Sequence, residues 1–143
     1  MAAEGSSVDY VGLVFVYGTL KQGHRSHGQL RGARLEGEAR LKGYRLYDLG
    51  PFPMAVPDPS QEALLHGELY AVTGAQLRAL DRFEGAPRLY ERHSVQLADG
   101  RGVWIYVGRE RQVRFSALIP SGRWLGSKSH QPATGAGQGK GQA

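Results

Sequence analysis

The chain combines one clear helical segment with about seven short strand-like segments, and this imbalance limits the folds open to it. The strand-like segments are alternating or β-branched apolar runs separated by turns rich in glycine and proline. Parallel strands need long crossover connections, usually helices, and one helix cannot supply many of them. We therefore predict an α+β fold: a small mixed, largely antiparallel β-barrel with the main helix and short helical turns outside.

The boundaries of the predicted strands follow from the turn residues. An apolar run over residues 11–16 ends at Tyr17-Gly18. Residues 33–49 alternate in polarity and turn at Gly43, which predicts a half-buried hairpin. Further strands are predicted at 54–56, 63–72, 88–97 and 103–107, with an Asp99-Gly100 turn between the last two. The apolar residues of 115–125 are expected to cover the sheet.

The predicted helix is bounded by recognisable caps. Thr73 and Gln76 have capping-box spacing, and Gly85 supplies the stop. Its inward face holds Leu77, Leu80, Phe83 and Glu84, while Arg78, Asp81 and Arg82 point elsewhere. Glu84 is therefore a carboxylate in an apolar stripe. Burial and the helix C-terminus both disfavour its charged form, so we expect a raised pKa that suits a base near neutral pH.

Length and composition predict one domain with flexible ends. At 143 residues the chain is long enough for one domain with a real core. Residues 1–10 are predicted to be a flexible lead and residues 11–125 the domain. Residues 126–143 consist mainly of Gly, Ser, Gln, Ala and Lys, a composition that predicts a disordered tail.

Charge and cysteine content narrow the function classes. The absence of cysteine excludes disulfides and thiolate metal sites, and it favours a cytoplasmic location. No apolar run is long enough for a bilayer, so no membrane association is predicted. The net charge of +5 comes largely from arginines scattered among acids, which favours a solvated surface over a nucleic-acid footprint.

Two motifs in the segment after the first strand have alternative readings. Gly18 and Gly23 have the spacing of phosphate-loop glycines, but the Lys-Ser/Thr pair is missing, so we reject a nucleotide site. His24 and His27 sit three residues apart, as metal ligands can. We favour exposed loop histidines, because no neighbouring carboxylate or cysteine completes a coordination sphere. No metal site is predicted.

Four motifs together resemble a known family. They are Tyr17-Gly18-Thr19-Leu20 after the first strand, Phe52-Pro53, Asp81-x-Phe83-Glu84 on the capped helix, and Tyr90 six residues later. This set resembles the γ-glutamylcyclotransferase superfamily over about residues 13–107, and most closely its γ-glutamylamine cyclotransferase branch with small AIG2-like bacterial members. The resemblance implies a compact mixed β-barrel.

The resemblance also implies an enzyme and its site. A γ-glutamyl group would cyclise to 5-oxoproline by intramolecular acyl transfer and release an amine or amino acid. Glu84 would be the general acid/base, and the Tyr17–Leu20 amides would hold the substrate oxygens. Further substrate-binding residues would be Pro53, Tyr90 and Tyr106. No cofactor is implied, the partner is a small γ-glutamyl molecule, and the chain is expected to be a monomer or weak dimer.

Two rival functions come from other classes. One is a non-catalytic small-ligand-binding or interaction module on the same fold, and the other is a nucleic-acid binder. The inward position predicted for Glu84 favours an enzyme over the first. The lack of clustered basic residues and of an exposed aromatic platform argues against the second.

Overall fold

The structure, a computed structural model, describes residues 8–126. Residues 1–7 of the predicted lead and 127–143 of the predicted tail lie outside this range. In chain order the strands and the helix are β1 (Tyr10–Val16), β2 (Arg34–Lys42), β3 (Tyr44–Asp48), β4 (Pro53–Pro57), β5 (Leu64–Thr73), α1 (Gly74–Glu84), β6 (Glu91–Gln96), β7 (Gly102–Val107) and β8 (Ala117–Leu118). Two short 3₁₀ turns cover His27–Leu30 and Glu110–Gln112.

The strands form two sheets. The larger sheet has the order β2-β5-β1-β7-β6, and the smaller has the order β4-β3-β8. Strands β1 and β7 run parallel, and all the other strand pairs in the described range are antiparallel. The α+β class, the mixed and largely antiparallel pairing, and the single main helix are therefore confirmed.

The predicted barrel is not supported, because the sheets are not closed. Strands β2 and β6 are the two ends of the larger sheet, and within residues 8–126 each bonds to one other strand. In a barrel, the end strands pair with each other and no edge remains. The two open sheets instead contact each other through β3 with β5 and through β4 with β7.

The predicted hairpin at residues 33–49 is wrong in its pairing. Both strands exist, but β2 pairs with β5 in one sheet and β3 pairs with β4 in the other. Gly43 does turn the chain, with a φ of 99°. Its amide donates to Ala63 O at 2.8 Å, and its carbonyl accepts from Asp58 N at 2.8 Å. The turn therefore transfers the chain between sheets rather than folding it back on itself.

Strand β1 is in the middle of the larger sheet, flanked by β5 and β7. Val14, Phe15 and Val16 are at most 1% exposed, as expected for a β-branched and aromatic run that is covered on both faces. The chain that leaves β1 therefore enters the interior of the protein, and this positions the turn that follows.

Strand β5 continues into α1 without a loop. Thr73 is the last residue of β5 and also the N-cap of α1. Its hydroxyl accepts from Gln76 N at 3.1 Å, and the side-chain oxygen of Gln76 accepts from Thr73 N at 2.8 Å. Gly85 ends the helix with a φ of 68°, a left-handed conformation that glycine adopts at little cost. The predicted capping box and stop are confirmed.

The segment after β7 only partly covers the sheet. Trp124 is buried, as expected, but Phe115 is 94% exposed and Leu125 is also exposed. Phe115 lies under the guanidinium group of Arg114, which is 5.4 Å from its ring centre. None of the helices in residues 8–126 has the length and apolar character that a bilayer crossing needs.

Candidate functional site

The four residues Tyr17 to Leu20 form a buried turn at the end of β1. Lys21 N donates to Gly18 O at 3.1 Å, and Ser26 N donates to Thr19 O at 3.0 Å. The Leu20 carbonyl accepts from Nδ1 of His27 at 2.9 Å. The carbonyl groups of this turn are therefore directed into the protein that surrounds it.

Two amide groups of the same turn differ from its carbonyl groups in their hydrogen bonding. Within residues 8–126, the hydrogen bonds include no protein acceptor for the N–H of Gly18 or of Leu20. Both residues are buried, and buried backbone donors are nearly always paired with some acceptor. Two donors of this kind in one turn fit the oxygens of a bound carboxylate or carbonyl group.

Glu84 is the last residue of α1 and is 0% exposed. Its neighbours on the inward face, Leu77 and Leu80, are 8% and 1% exposed. The helical spacing therefore predicted the buried face correctly. A side chain with a carboxyl group stands among apolar side chains at the C-terminal end of the helix.

Three buried tyrosines interact electrostatically with this carboxyl group. They are Tyr17, Tyr90 and Tyr106, and we call them the tyrosine cluster. Each is at most 1% exposed. Burial raises the pKa of all three hydroxyl groups, and the negative charge of Glu84 raises each pKa further. The three phenols therefore remain protonated at neutral pH and act as hydrogen-bond donors.

The hydroxyl protons of the tyrosine cluster are directed to other acceptors. Tyr17 donates to Tyr106 O at 2.7 Å, and Tyr90 donates to Pro53 O at 3.0 Å. Tyr106 donates to Oδ1 of Asp81 at 2.6 Å. These contacts bring the predicted residues Pro53, Tyr90 and Tyr106 into one buried region with Glu84. Because the three hydroxyl protons are already used in these contacts, the rings are better suited to line a site than to donate protons in it.

Asp81 is the residue of this region that the sequence did not identify. The helical projection directs it away from the inward face, and its side chain is indeed 27% exposed. It nevertheless accepts from Tyr106 and also from both Nε and Nη2 of Arg92, at 2.8 and 3.2 Å. The one available signal was its place in the Asp81-x-Phe83-Glu84 motif, since Arg92 and Tyr106 lie far away in sequence.

A cavity borders the turn. It has a volume of about 240 Å³, and its lining includes Thr19, Gly23, Pro51 and Trp124. His24 also lines this cavity, and His27 contacts the ring of Tyr70 at 5.8 Å between ring centres. Among the described residues, no three His, Cys, Asp or Glu side chains are grouped as a metal ion would require.

Comparison with known proteins gives consistent results at the level of sequence. The family model described as "Gamma-glutamyl cyclotransferase, AIG2-like" matches residues 14–126. The gamma-glutamylcyclotransferase family protein YtfP of Escherichia coli K12 is 36% identical over 112 residues, covering 78% of this chain and 95% of that protein. The gamma-glutamylaminecyclotransferase of Homo sapiens is 40% identical over 102 residues, covering 62% of this chain and 65% of that protein.

A solved structure agrees with these sequence matches. The crystal structure of an AIG2-like protein from Mus musculus superimposes with a TM-score of 0.69 and 25% sequence identity. The match covers 79% of this chain and 88% of that one. The matched region of sequence includes the Tyr17–Leu20 turn, α1 and the whole tyrosine cluster.

Proposed function

The chain belongs to the gamma-glutamyl cyclotransferase, AIG2-like family, and from this we propose that it cyclises a γ-glutamyl group to 5-oxoproline. The relatives support an enzyme of the cyclotransferase type. The product, the leaving group and the role of Glu84 are the parts that we propose. An amine or an amino acid would leave as the ring closes.

The observation on which the proposal rests is the position of Glu84. It is wholly buried, and its charge acts on Tyr17, the first residue of the turn. A carboxyl group and a pair of backbone amide donors therefore flank the same region. This is the arrangement that an intramolecular acyl transfer needs: one group that moves protons and another that stabilises an oxyanion.

The reaction follows from these two groups. The α-ammonium of the substrate, whose reference pKa is about 7.7–8.0, must lose a proton before it can attack. Glu84 accepts that proton, and the amine attacks the γ-carbonyl carbon to form a five-membered ring. The amides of Gly18 and Leu20 stabilise the oxyanion of the tetrahedral intermediate. The bond from the γ-carbon to the leaving nitrogen then breaks as Glu84 gives its proton to that nitrogen. The ionised Glu84 takes the second proton from the ring nitrogen, which becomes a neutral amide, and passes it to the free amine, which leaves as an ammonium ion.

The remaining residues fix the geometry. The tyrosine cluster and Pro53 form walls that hold the glutamyl group in a folded conformation, which brings its amine close to its carbonyl. We propose that the substrate enters through the cavity beside Thr19. Every group named acts on the glutamyl half, so we expect strict selection there and looser selection of the leaving amine.

A panel of substrates tests this proposal. The purified chain is incubated with glutathione, γ-glutamyl-alanine and γ-glutamyl-ε-lysine at equal concentrations, and 5-oxoproline is measured. We expect γ-glutamyl-ε-lysine to react fastest, in line with the name of the human relative. Acylation of the α-amine removes the nucleophile and should reduce product to background with any leaving group.

Several outcomes would contradict the proposal. Release of glutamate in place of 5-oxoproline would show hydrolysis rather than cyclisation. Product from glutathione alone would overturn the preferred leaving group. Saturable binding without turnover of any compound would instead support a non-catalytic binding module.

A further inference from the structure

A continuous set of hydrogen bonds joins the helix that bears Glu84 to the turn after β1. Asp81 of α1 accepts from the hydroxyl of Tyr106 in β7 at 2.6 Å. The backbone carbonyl of Tyr106 accepts from the hydroxyl of Tyr17 at 2.7 Å. The same hydroxyl accepts from Ala55 N in β4 at 3.1 Å. One side chain of α1 is therefore linked to the first residue of the turn through a single intermediate residue.

The outer end of this set is fixed by Arg92 in β6. Arg92 donates from Nε to Oδ1 of Asp81 at 2.8 Å and from Nη2 to Oδ2 at 3.2 Å. Its guanidinium group also lies 5.3 Å from the ring centre of Trp104. A two-point contact of this type fixes the orientation of a carboxylate as well as its position. Asp81 is thus held from the outside while it holds Tyr106 on the inside.

We propose that Asp81 is a positioning residue that sets the separation between Glu84 and the Tyr17–Leu20 turn. The proposal rests on the proposed function, because it concerns the two groups that act on the substrate there. Asp81 precedes Glu84 by three residues, so the two are neighbours on the helix surface. A ring held at Asp81 is therefore held beside Glu84, and the negative charge of Glu84 acts on Tyr106.

This role predicts effects on the rate of the chemical step. A displacement of about 1 Å between reacting groups can reduce a rate about 100-fold. Asp81→Ala removes the acceptor for Tyr106 and frees that ring, so kcat should fall by about 10- to 100-fold with little change in KM. Tyr106→Phe breaks the same link from the other side and should have a similar effect. Combining the two should reduce kcat no further than either alone, because one link cannot be lost twice.

A conservative variant separates positioning from charge. Asp81→Asn keeps Oδ1, the atom that accepts from both Tyr106 and Nε of Arg92, and loses the contact with Nη2. It should retain kcat within about fivefold of the wild type, the equivalent of one neutral hydrogen bond. Asp99→Ala is the matched control. It removes another acid–arginine contact, Asp99 with Arg101 at 2.9 Å, in the turn between β6 and β7.

A second measurement does not depend on activity. Amide hydrogen exchange at Lys21 and Ser26, whose N–H groups donate to Gly18 O and Thr19 O of the turn, should accelerate in Asp81→Ala and Tyr106→Phe, but not in Asp81→Asn or Asp99→Ala. Wild-type protein that forms no 5-oxoproline would refute the proposed function and leave this link to be judged by exchange. Unchanged exchange in Asp81→Ala would refute the link. So would multiplicative effects of Asp81→Ala and Tyr106→Phe on kcat, or equal losses in the Asn and Ala variants.

Discussion

At the scale of single residues, the hydroxyl group of Tyr17 joins two strands to the turn after β1. Its hydroxyl accepts from Ala55 N of β4 and donates to Tyr106 O of β7, while its backbone continues β1. Both partner groups are buried. Tyr17→Phe removes one hydrogen bond from each of them, so we expect a loss of about 2 kcal/mol in the free energy of unfolding. Urea denaturation measures this loss.

Tyr47→Phe is the control for this prediction, because its hydroxyl has no hydrogen-bond partner in the described range 8–126. It should change the free energy of unfolding much less. Equal stability of Tyr17→Phe and the wild type would show that the two contacts contribute nothing net.

Glu84→Gln tests the residue on which the proposed chemistry depends. The amide has nearly the same size but cannot move a proton, so kcat for 5-oxoproline formation should fall by at least about 100-fold. Circular dichroism and substrate binding should be retained. Glu110→Gln, at a residue with 67% side-chain exposure, is the matched control and should keep full activity. Near-normal kcat in Glu84→Gln would refute Glu84 as the general acid/base.

At the scale of elements, the turn between β4 and β5 is organised by one carboxylate. Asp58 accepts from Ala63 N at 2.8 Å, from Ser60 N at 3.1 Å and from Glu62 N at 3.2 Å. The Ala63 amide contributes most to lowering the pKa of Asp58, and the Ser60 hydroxyl adds to it. Ser60, Glu62 and Ala63 thus fold around one charged group.

This turn should make stability depend on pH below neutrality. The pKa of Asp58 in the folded state lies below its ordinary value of 3.8. Its contribution to stability is therefore fully present above that value and is lost as pH falls through the folded pKa. The free energy of unfolding should fall less steeply below pH 3.8 in Asp58→Asn than in the wild type. Asp9→Asn, an exposed control, should keep the wild-type slope.

Elements bounded by local signals could be predicted, and pairings between distant strands could not. The caps at Thr73 and Gly85 lie within twelve residues of each other, and they were sufficient to predict where α1 begins and ends. Gly43 showed that the chain turns but not that β2 pairs with β5, which follows only after β3 and β4. The same reason explains why the predicted barrel was wrong, since closure of a barrel depends on contacts between the two end strands of a sheet, which are distant in sequence. In the site, the buried position of Glu84 could be predicted from helical periodicity. The role of Asp81 could not, because it depends on contacts with Arg92 in β6 and Tyr106 in β7.

At the scale of the whole molecule, the basic charge is distributed in small pairs. Arg34 with Glu36, Arg92 with Asp81 and Arg109 with Glu91 form contacts of 2.6 to 2.8 Å. This pattern is consistent with a solvated surface, and the sequence-based expectation that nucleic acid is not a partner stays a prediction.

Removal of the tail is expected to leave the stability of the domain almost unchanged. Its composition lacks the apolar residues that a docked segment would bury. Removal of residues 127–143 should therefore change Tm by less than about 2 °C, as measured by scanning calorimetry. A larger decrease would show that the tail packs on the domain.

The direct junction of β5 and α1 has a consequence for how this chain can vary in length. Side chains of β5 change face at every residue, and those of α1 rotate by about 100° per residue. Because Thr73 belongs to both elements, the register of β5 between β1 and β2 also fixes the direction of Glu84. An insertion or deletion of one residue inside α1 would turn the carboxyl group out of the core. Homologous chains should therefore gain or lose residues in the connections around this unit, and the spacing from Thr73 to Glu84 should be constant.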